Sequence, residues 1–174
     1  MRILITDGLD ALALEQLKTE FSWVKAIDIA QNQVADFINQ NQVNILVVRS
    51  KTKVRGELLE SCPSLKFVIR AGVGIDNIDT EAAKKLGIKV FNTPLASSRA
   101  VAELVMAHIY TGMRYLHESN RDMPLDGDTQ FRALKKSYAK AQEVQGKTLG
   151  IIGFGNIGKE VAKLAFLNGM KPVV

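Results

Sequence analysis

Residues 148–165 read TLGIIGFGNIGKEVAKLA, and the reading of the whole chain starts from them. An apolar run, Leu149 to Ile152, enters Gly153-Phe154-Gly155-Asn156-Ile157-Gly158 and leaves through Lys159 to Leu164. The run predicts a buried strand, and Val161, Leu164 and Ala165 fall on the inner face of an amphipathic helix. The three glycines have separate tasks. Gly153 permits the tight turn, Gly155 lets a pyrophosphate approach the backbone, and Gly158 lets helix and strand pack closely. Unpaired N–H groups and the helix dipole then favour a phosphate over the helix N-terminus. A helix that merely crosses close to a strand would use similar glycines, so the pattern gains weight from its flanks. Pro172-Val173-Val174 begins the next strand.

Upstream, the same strand-then-helix alternation repeats. Predicted strands are Arg2 to Asp7, Val24 to Ile29, Asn44 to Ser50, Leu65 to Arg70 and Lys89 to Asn92. Predicted helices are Leu9 to Glu20, Val34 to Ile38, Gly56 to Cys62 and Thr80 to Leu86, the first with apolar residues at 9, 12, 14 and 17. Such alternation implies right-handed crossovers and a parallel sheet covered on both faces. Residues 1–94 are therefore expected to form a flavodoxin-like α/β layer of strand order 2-1-3-4-5. Ligands of such sheets collect at the C-terminal strand ends, here Asp7-Gly8, Arg49-Ser50 and Arg70 to Gly74. Residues 95–174 would hold a long helix, Ser97 to Leu116, with Ser97 or Ser98 as N-cap and Val101, Leu104, Val105, Ile109 and Leu116 as its apolar stripe. A polar connection, Asn120 to Gln145, follows; Pro124 and Gly127 mark turns in it, and a short helix lies near Tyr138. The βαβ unit of an incomplete Rossmann domain closes the chain.

Composition narrows the function classes. The 174 residues are 47% hydrophobic and 24% charged, enough apolar material for a core in an ordinary globular protein. The net charge of +5 comes from scattered lysines rather than a basic tract. It suits small anions and argues against nucleic acid. Cys62 is the single cysteine, so no internal disulfide forms, and no metal-ligand spacing appears. No leader and no membrane-spanning run is read, which points to the cytoplasm.

Val73 lies between two glycines after a strand. Small residues there leave the N–H groups of Val73 and Gly74 bare for a carboxylate or phosphate. Arg49 and Ser50 end the neighbouring strand and bring a guanidinium fork and a hydroxyl; a tight turn beside a surface arginine is the plain alternative. His108 is expected at a core edge, and Glu103 as a buried or capping carboxylate. No nucleophile–base set appears, so no catalytic acid or base is assigned.

VVRS, RAGVGIDNID, NTP…SSRAVAEL and GKTLGIIGFGNIG, in that order, resemble the D-isomer-specific 2-hydroxyacid dehydrogenases across the whole chain. Within that family they point to the branch that oxidises 3-phosphoglycerate in serine biosynthesis. The resemblance implies an N-terminal substrate domain, an NAD-binding domain after it, and an active site in the cleft between. It places Arg49, Ser50, Val73 and Gly74 on the substrate's anionic group, with Val73 also near the nicotinamide. It places Gly153, Gly155, Asn156, Ile157 and Gly158 on the pyrophosphate of NAD. It also implies a homodimer through residues 97–145. Ser97 stands where the family commonly has Asn, which changes one cofactor-side or substrate-side hydrogen bond. The family's catalytic Arg, Glu and His would fall beyond Val174, as would the acidic residue for the adenosine ribose, about 20 residues after the first glycine. The 174 residues alone are thus expected to be inactive. A non-catalytic partner that binds nucleotide or pairs with a full-length relative is the other reading.

Overall fold

In the computed structural model, which describes residues 1–174, the first five apolar runs become five parallel strands. They are β1 (Arg2–Ile5), β2 (Trp23–Ala26), β3 (Ile45–Val48), β4 (Phe67–Arg70) and β5 (Lys89–Asn92), in the order β2-β1-β3-β4-β5. This is the expected order, with each strand shorter than or equal to its predicted run. Register aligns Ile3 with Ile45 and Ile45 with Phe67, so like faces stack across the sheet.

Because side chains alternate along a strand, the continuous apolar runs feed two cores. Leu4, Leu46, Val48 and Val68 pack with α2 (Val34–Asn41), α3 (Gly56–Glu60) and α4 (Thr80–Lys85) through Val34, Ile38, Leu58, Leu59 and Ala83. Ile3, Ile5, Ile45 and Val47 pack on the other face with α1 (Ala11–Glu20) through Leu14 and Leu17. Asp10 caps α1 by accepting from the N–H groups of Leu12 and Ala13, which starts the helix two residues later than predicted. Leu12 is 81% exposed, so it leaves the predicted apolar face. Cys62 is fully buried, and burial pushes its thiol up, the Ser61 hydroxyl opposing it; a neutral thiol is a packing group rather than a nucleophile.

Residues Met1–Ala96 form one compact unit and Ser97–Val174 a second. In the second, α5 (Ser98–Arg114) packs on α7 (Asn156–Leu167) through Ala102, Met106, Val161, Leu164 and Ala165, beside the parallel pair β6 (Thr148–Gly150) and β7 (Lys171–Val173). The inward set predicted for α7 is buried as read. The stripe predicted for α5 is met in part: Val105 and Ile109 pack against this core, whereas Leu104 and Leu116 are exposed, and the buried positions are Ser98, Ala102 and Met106. Two small residues, Ala102 and Ala165, are fully buried in this packing, and an alanine weighs little in a stripe drawn from bulky residues.

The predicted polar connection is the largest correction. Residues Leu116–Ser137 form a helix, α6, that contains Pro124 and Gly127 and is interrupted at Gln130. The true break is Tyr115, with φ of +54°, which ends α5 and heads α6. The chain stays helical through the proline, which removes a single backbone donor rather than dictating a turn. Tyr138 donates to Asp122 at 2.9 Å and ties the far end back along the helix. No helix is long and apolar enough to cross a membrane.

Candidate functional site

The sequence marks two candidate anion sites, one in each unit. In the first unit, β3 and β4 end side by side, and the loops after them carry Arg49-Ser50 and Val73-Gly74. Arg49, Ser50, Val73 and Gly74 are all exposed. They are held by side chains that sequence spacing alone does not single out.

Asp7, just past β1, is the first of these. Its carboxylate accepts from the N–H of Arg49 at 2.8 Å, Lys51 at 3.0 Å and Thr52 at 3.0 Å, and from the Thr52 hydroxyl. The Thr52 hydroxyl also lies 2.8 Å from that of Thr6. Burial alone would raise the Asp7 carboxyl, but the Thr52, Arg49 and Thr6 hydrogen bonds outweigh it and hold it below its ordinary range. The backbone from Arg49 to Thr52 is thus wrapped around one negative charge. Asn77, also buried, donates to the carbonyls of Arg49 at 2.9 Å and Thr52 at 2.8 Å.

Arg70, at the end of β4, joins the two loops. Its Nε donates to the Arg49 carbonyl at 3.0 Å and its Nη1 to the Gly74 carbonyl, with Asp76 at 3.8 Å; its side chain is only 14% exposed. Asn92 donates to the Val73 carbonyl at 2.6 Å. Gly74 is glycine for space rather than for its backbone angle. A Cβ there would lie 2.8 Å from Arg70 Nη1 and 3.0 Å from Asp76 Oδ1. The four predicted residues of this site are therefore brought together; Asp7 and Arg70 lie at strand ends already marked in the sequence, though not as supports, and Asn77 and Asn92 were not singled out. A carboxylate following a short apolar run, Ile3 to Ile5, just before a glycine was the one local sign of Asp7.

In the second unit, β6 turns into α7 through the glycine-rich stretch. Gly153 has φ of +98°, where an L side chain is strained. Around Gly155 an added Cβ would meet nothing within 4 Å. At Gly158 it would lie 2.3 Å from the Gly153 carbonyl oxygen and 3.5 Å from Ile151 Cγ2. Tight turn, open approach and close packing thus fall on the first, second and third glycine, as a dinucleotide pyrophosphate requires. Gly155 heads the 12-residue α7 with no side-chain cap and no acidic residue in the first turn. The residues present fit the cofactor's phosphates.

The remaining candidates are plainer. Ser97 stands at the N-cap of α5, but its hydroxyl makes no capping bond, while the buried Ser98 hydroxyl has no partner. Glu103 is neither buried nor a cap: Arg99 donates to it at 2.7 Å on the surface and reaches Glu160 at 3.6 Å. His108 and His117 are both exposed, so the predicted core-edge place of His108 is not observed.

Comparison with known proteins shows a family likeness. A family profile described as D-isomer specific 2-hydroxyacid dehydrogenase, catalytic domain, matches residues 3–164. A hydroxypyruvate reductase of Thermotoga maritima is 42% identical over 172 residues, 98% of this chain and 53% of that protein. The TT0316 protein of Thermus thermophilus superposes with a TM-score of 0.77 at 28% identity, covering 99% of this chain and 55% of its own. The NAD+-bound 3-phosphoglycerate dehydrogenase of Entamoeba histolytica superposes at 0.70, also with 28% identity, covering 99% and 52%. The chain spans about half the length, or less, of the curated relatives it matches.

Proposed function

The chain belongs to the D-isomer specific 2-hydroxyacid dehydrogenase family, and from that premise we propose that it supplies the substrate-anion loops and the pyrophosphate turn of an NAD-dependent oxidoreductase for small 2-hydroxy and 2-oxo acids. The observation that carries this reading is the division of labour among Gly153, Gly155 and Gly158. Residues 1–94 act as the substrate domain and residues 95–174 as the start of the NAD-binding domain. When bound, the nicotinamide exchanges a hydride with the substrate's C2.

The chain's own residues do the holding. The α7 N-terminus, with Gly153, Gly155, Asn156, Ile157 and Gly158, takes the pyrophosphate against unpaired donors and the helix dipole. The Arg49 guanidinium, the Ser50 hydroxyl and the backbone of Val73 and Gly74 take the substrate's carboxylate or phosphate. Val73 borders the nicotinamide, and Ser97 supplies a hydroxyl on the cofactor side. The preferred substrate is 3-phosphoglycerate, in serine biosynthesis. Hydroxypyruvate is the second reading, favoured by the 42% identity to the Thermotoga enzyme. Two copies pair through residues 97–145, where Leu104, Leu116, Leu125 and Phe131 are exposed. A free, buried Cys62 suits a reducing cytoplasm.

Proton exchange at the substrate hydroxyl needs an acid/base. None of the residues assigned to the anion loops, Arg49, Ser50, Val73 and Gly74, is an acid/base of that kind. The 174-residue chain, mixed with NADH and either hydroxypyruvate or 3-phosphohydroxypyruvate, is therefore expected to oxidise no NADH above the protein-free blank. Clear protein-dependent loss of NADH absorbance would show that the chain holds a complete acid/base set.

A further inference from the structure

Three carbonyls in the two anion loops are each held by a side-chain donor. Arg49 C=O accepts from Arg70 Nε at 3.0 Å and Asn77 Nδ2 at 2.9 Å. Val73 C=O accepts from Asn92 Nδ2 at 2.6 Å, and Gly74 C=O accepts from Arg70 Nη1. A trans peptide is planar, with its C=O and N–H pointing opposite ways, and no cis bond occurs in the chain. Fixing those carbonyls on their side-chain donors therefore aims the next residues' N–H groups the other way. These are the amides of Ser50, Gly74 and Ile75, three exposed residues whose N–H groups donate to no acceptor within the protein.

We infer that Arg70, Asn77 and Asn92 are positioning residues, which orient the Ser50, Gly74 and Ile75 N–H groups as one anion receptor. The inference rests on the proposed reading of these loops as the substrate-anion site and adds to it Ser50 and Ile75 as backbone donors. One guanidinium serves two of the three peptides, so Arg70 fixes the Arg49–Ser50 peptide against the Gly74–Ile75 peptide. Each held carbonyl also polarises its own peptide, which strengthens the outward N–H as a donor. Gly74 permits this, since a Cβ there would displace Arg70 Nη1. Arg70 thus acts through the backbone rather than by touching the anion, and lysine, with one nitrogen, cannot span both carbonyls.

The test follows the backbone amides of the 15N-labelled 174-residue chain by NMR as 3-phosphoglycerate is added. In the wild type, Ser50, Gly74 and Ile75 are expected to shift together and saturably. In Asn92→Leu, which removes the donor at similar volume, binding weakens about fivefold, the weight of one ordinary hydrogen bond. The Gly74 response collapses while those of Ser50 and Ile75 persist. Arg70→Lys gives the complementary pattern, with Ile75 losing its response, Gly74 keeping it and Ser50 weakened only in part, because Asn77 still holds the Arg49 carbonyl. Asn92 ends the exposed edge strand β5, so its variant keeps the test decisive if Arg70→Lys does not fold. Equal loss at all three amides in either folded variant would mean general loosening and would overturn the inference. An Asn92→Leu variant that binds and responds as the wild type would overturn it while leaving the anion site standing. A folded wild type with no response at these amides would overturn both.

Discussion

Gly158→Ala should unfold the turn between β6 and α7 and remove dinucleotide binding, with a cost of about 3 kcal/mol to the second unit. Helix propensity argues the other way, since alanine is favoured over glycine in a helix by about 1 kcal/mol. The geometry decides the sign. The new Cβ would sit 2.3 Å from the Gly153 carbonyl oxygen and 3.3 Å from its carbon, and this neighbour is backbone that cannot rotate aside. Relief requires moving the turn, and Gly153 at φ +98° is already where little else is allowed. Gly112→Ala is the internal control. Gly112 lies inside α5 with nothing within 4 Å of an added Cβ, so there propensity acts alone and stability rises by about 0.5–1 kcal/mol. Thermal melts of the two variants should therefore move in opposite directions.

Asp7→Ala should cost the first unit about 3 kcal/mol, the upper range for hydrogen bonds to a charged group. The loss leaves the N–H groups of Arg49, Lys51 and Thr52 without their acceptor, and Thr52 is only 4% exposed, so water cannot readily replace it. Loop 49–52 would loosen, and with it the orientation of the Arg49 guanidinium. The effect carries a pH signature. The folded carboxyl lies below the unfolded value of about 3.9, so the folded state favours the ionised form. Its stabilisation is complete above about pH 5 and fades as pH falls through the folded value. Chemical denaturation of wild type and Asp7→Ala across pH 3–7 should show the gap between them closing at the acid end. A gap that stays constant over that range would remove the charge from the account.

The sheet was legible because its information is local. Runs such as ILVV at Ile45–Val48, apolar on both faces, can only be strands covered on both sides, and alternation with helices fixed their parallel sense. The glycine turn was legible for the same reason: its three constraints fall within six residues. What escaped was set at a distance. Asp7 meets Thr52 across 45 residues, Asn77 meets Arg49 across 28, and Asn92 meets Val73 across 19, and no periodicity announces such pairs. The α5 stripe was read only in part: Val105 and Ile109 do pack inward, but Ala102, buried for its smallness, counts for less than the exposed Leu104. In α6, Pro124 and Gly127 have the residue types of a turn, yet the chain stays helical through both and bends at Gln130.

The central claim is that the turn from Gly153 to Gly158 holds a dinucleotide pyrophosphate. NADH titrated into the 15N-labelled chain tests it most directly, with the amides of Gly155, Asn156, Ile157 and Gly158 as reporters. The account predicts saturable shifts concentrated at those four amides in the wild type and their loss in Gly158→Ala. A folded wild-type chain whose four amides stay unmoved at saturating NADH, or whose shifts cluster elsewhere, would contradict it.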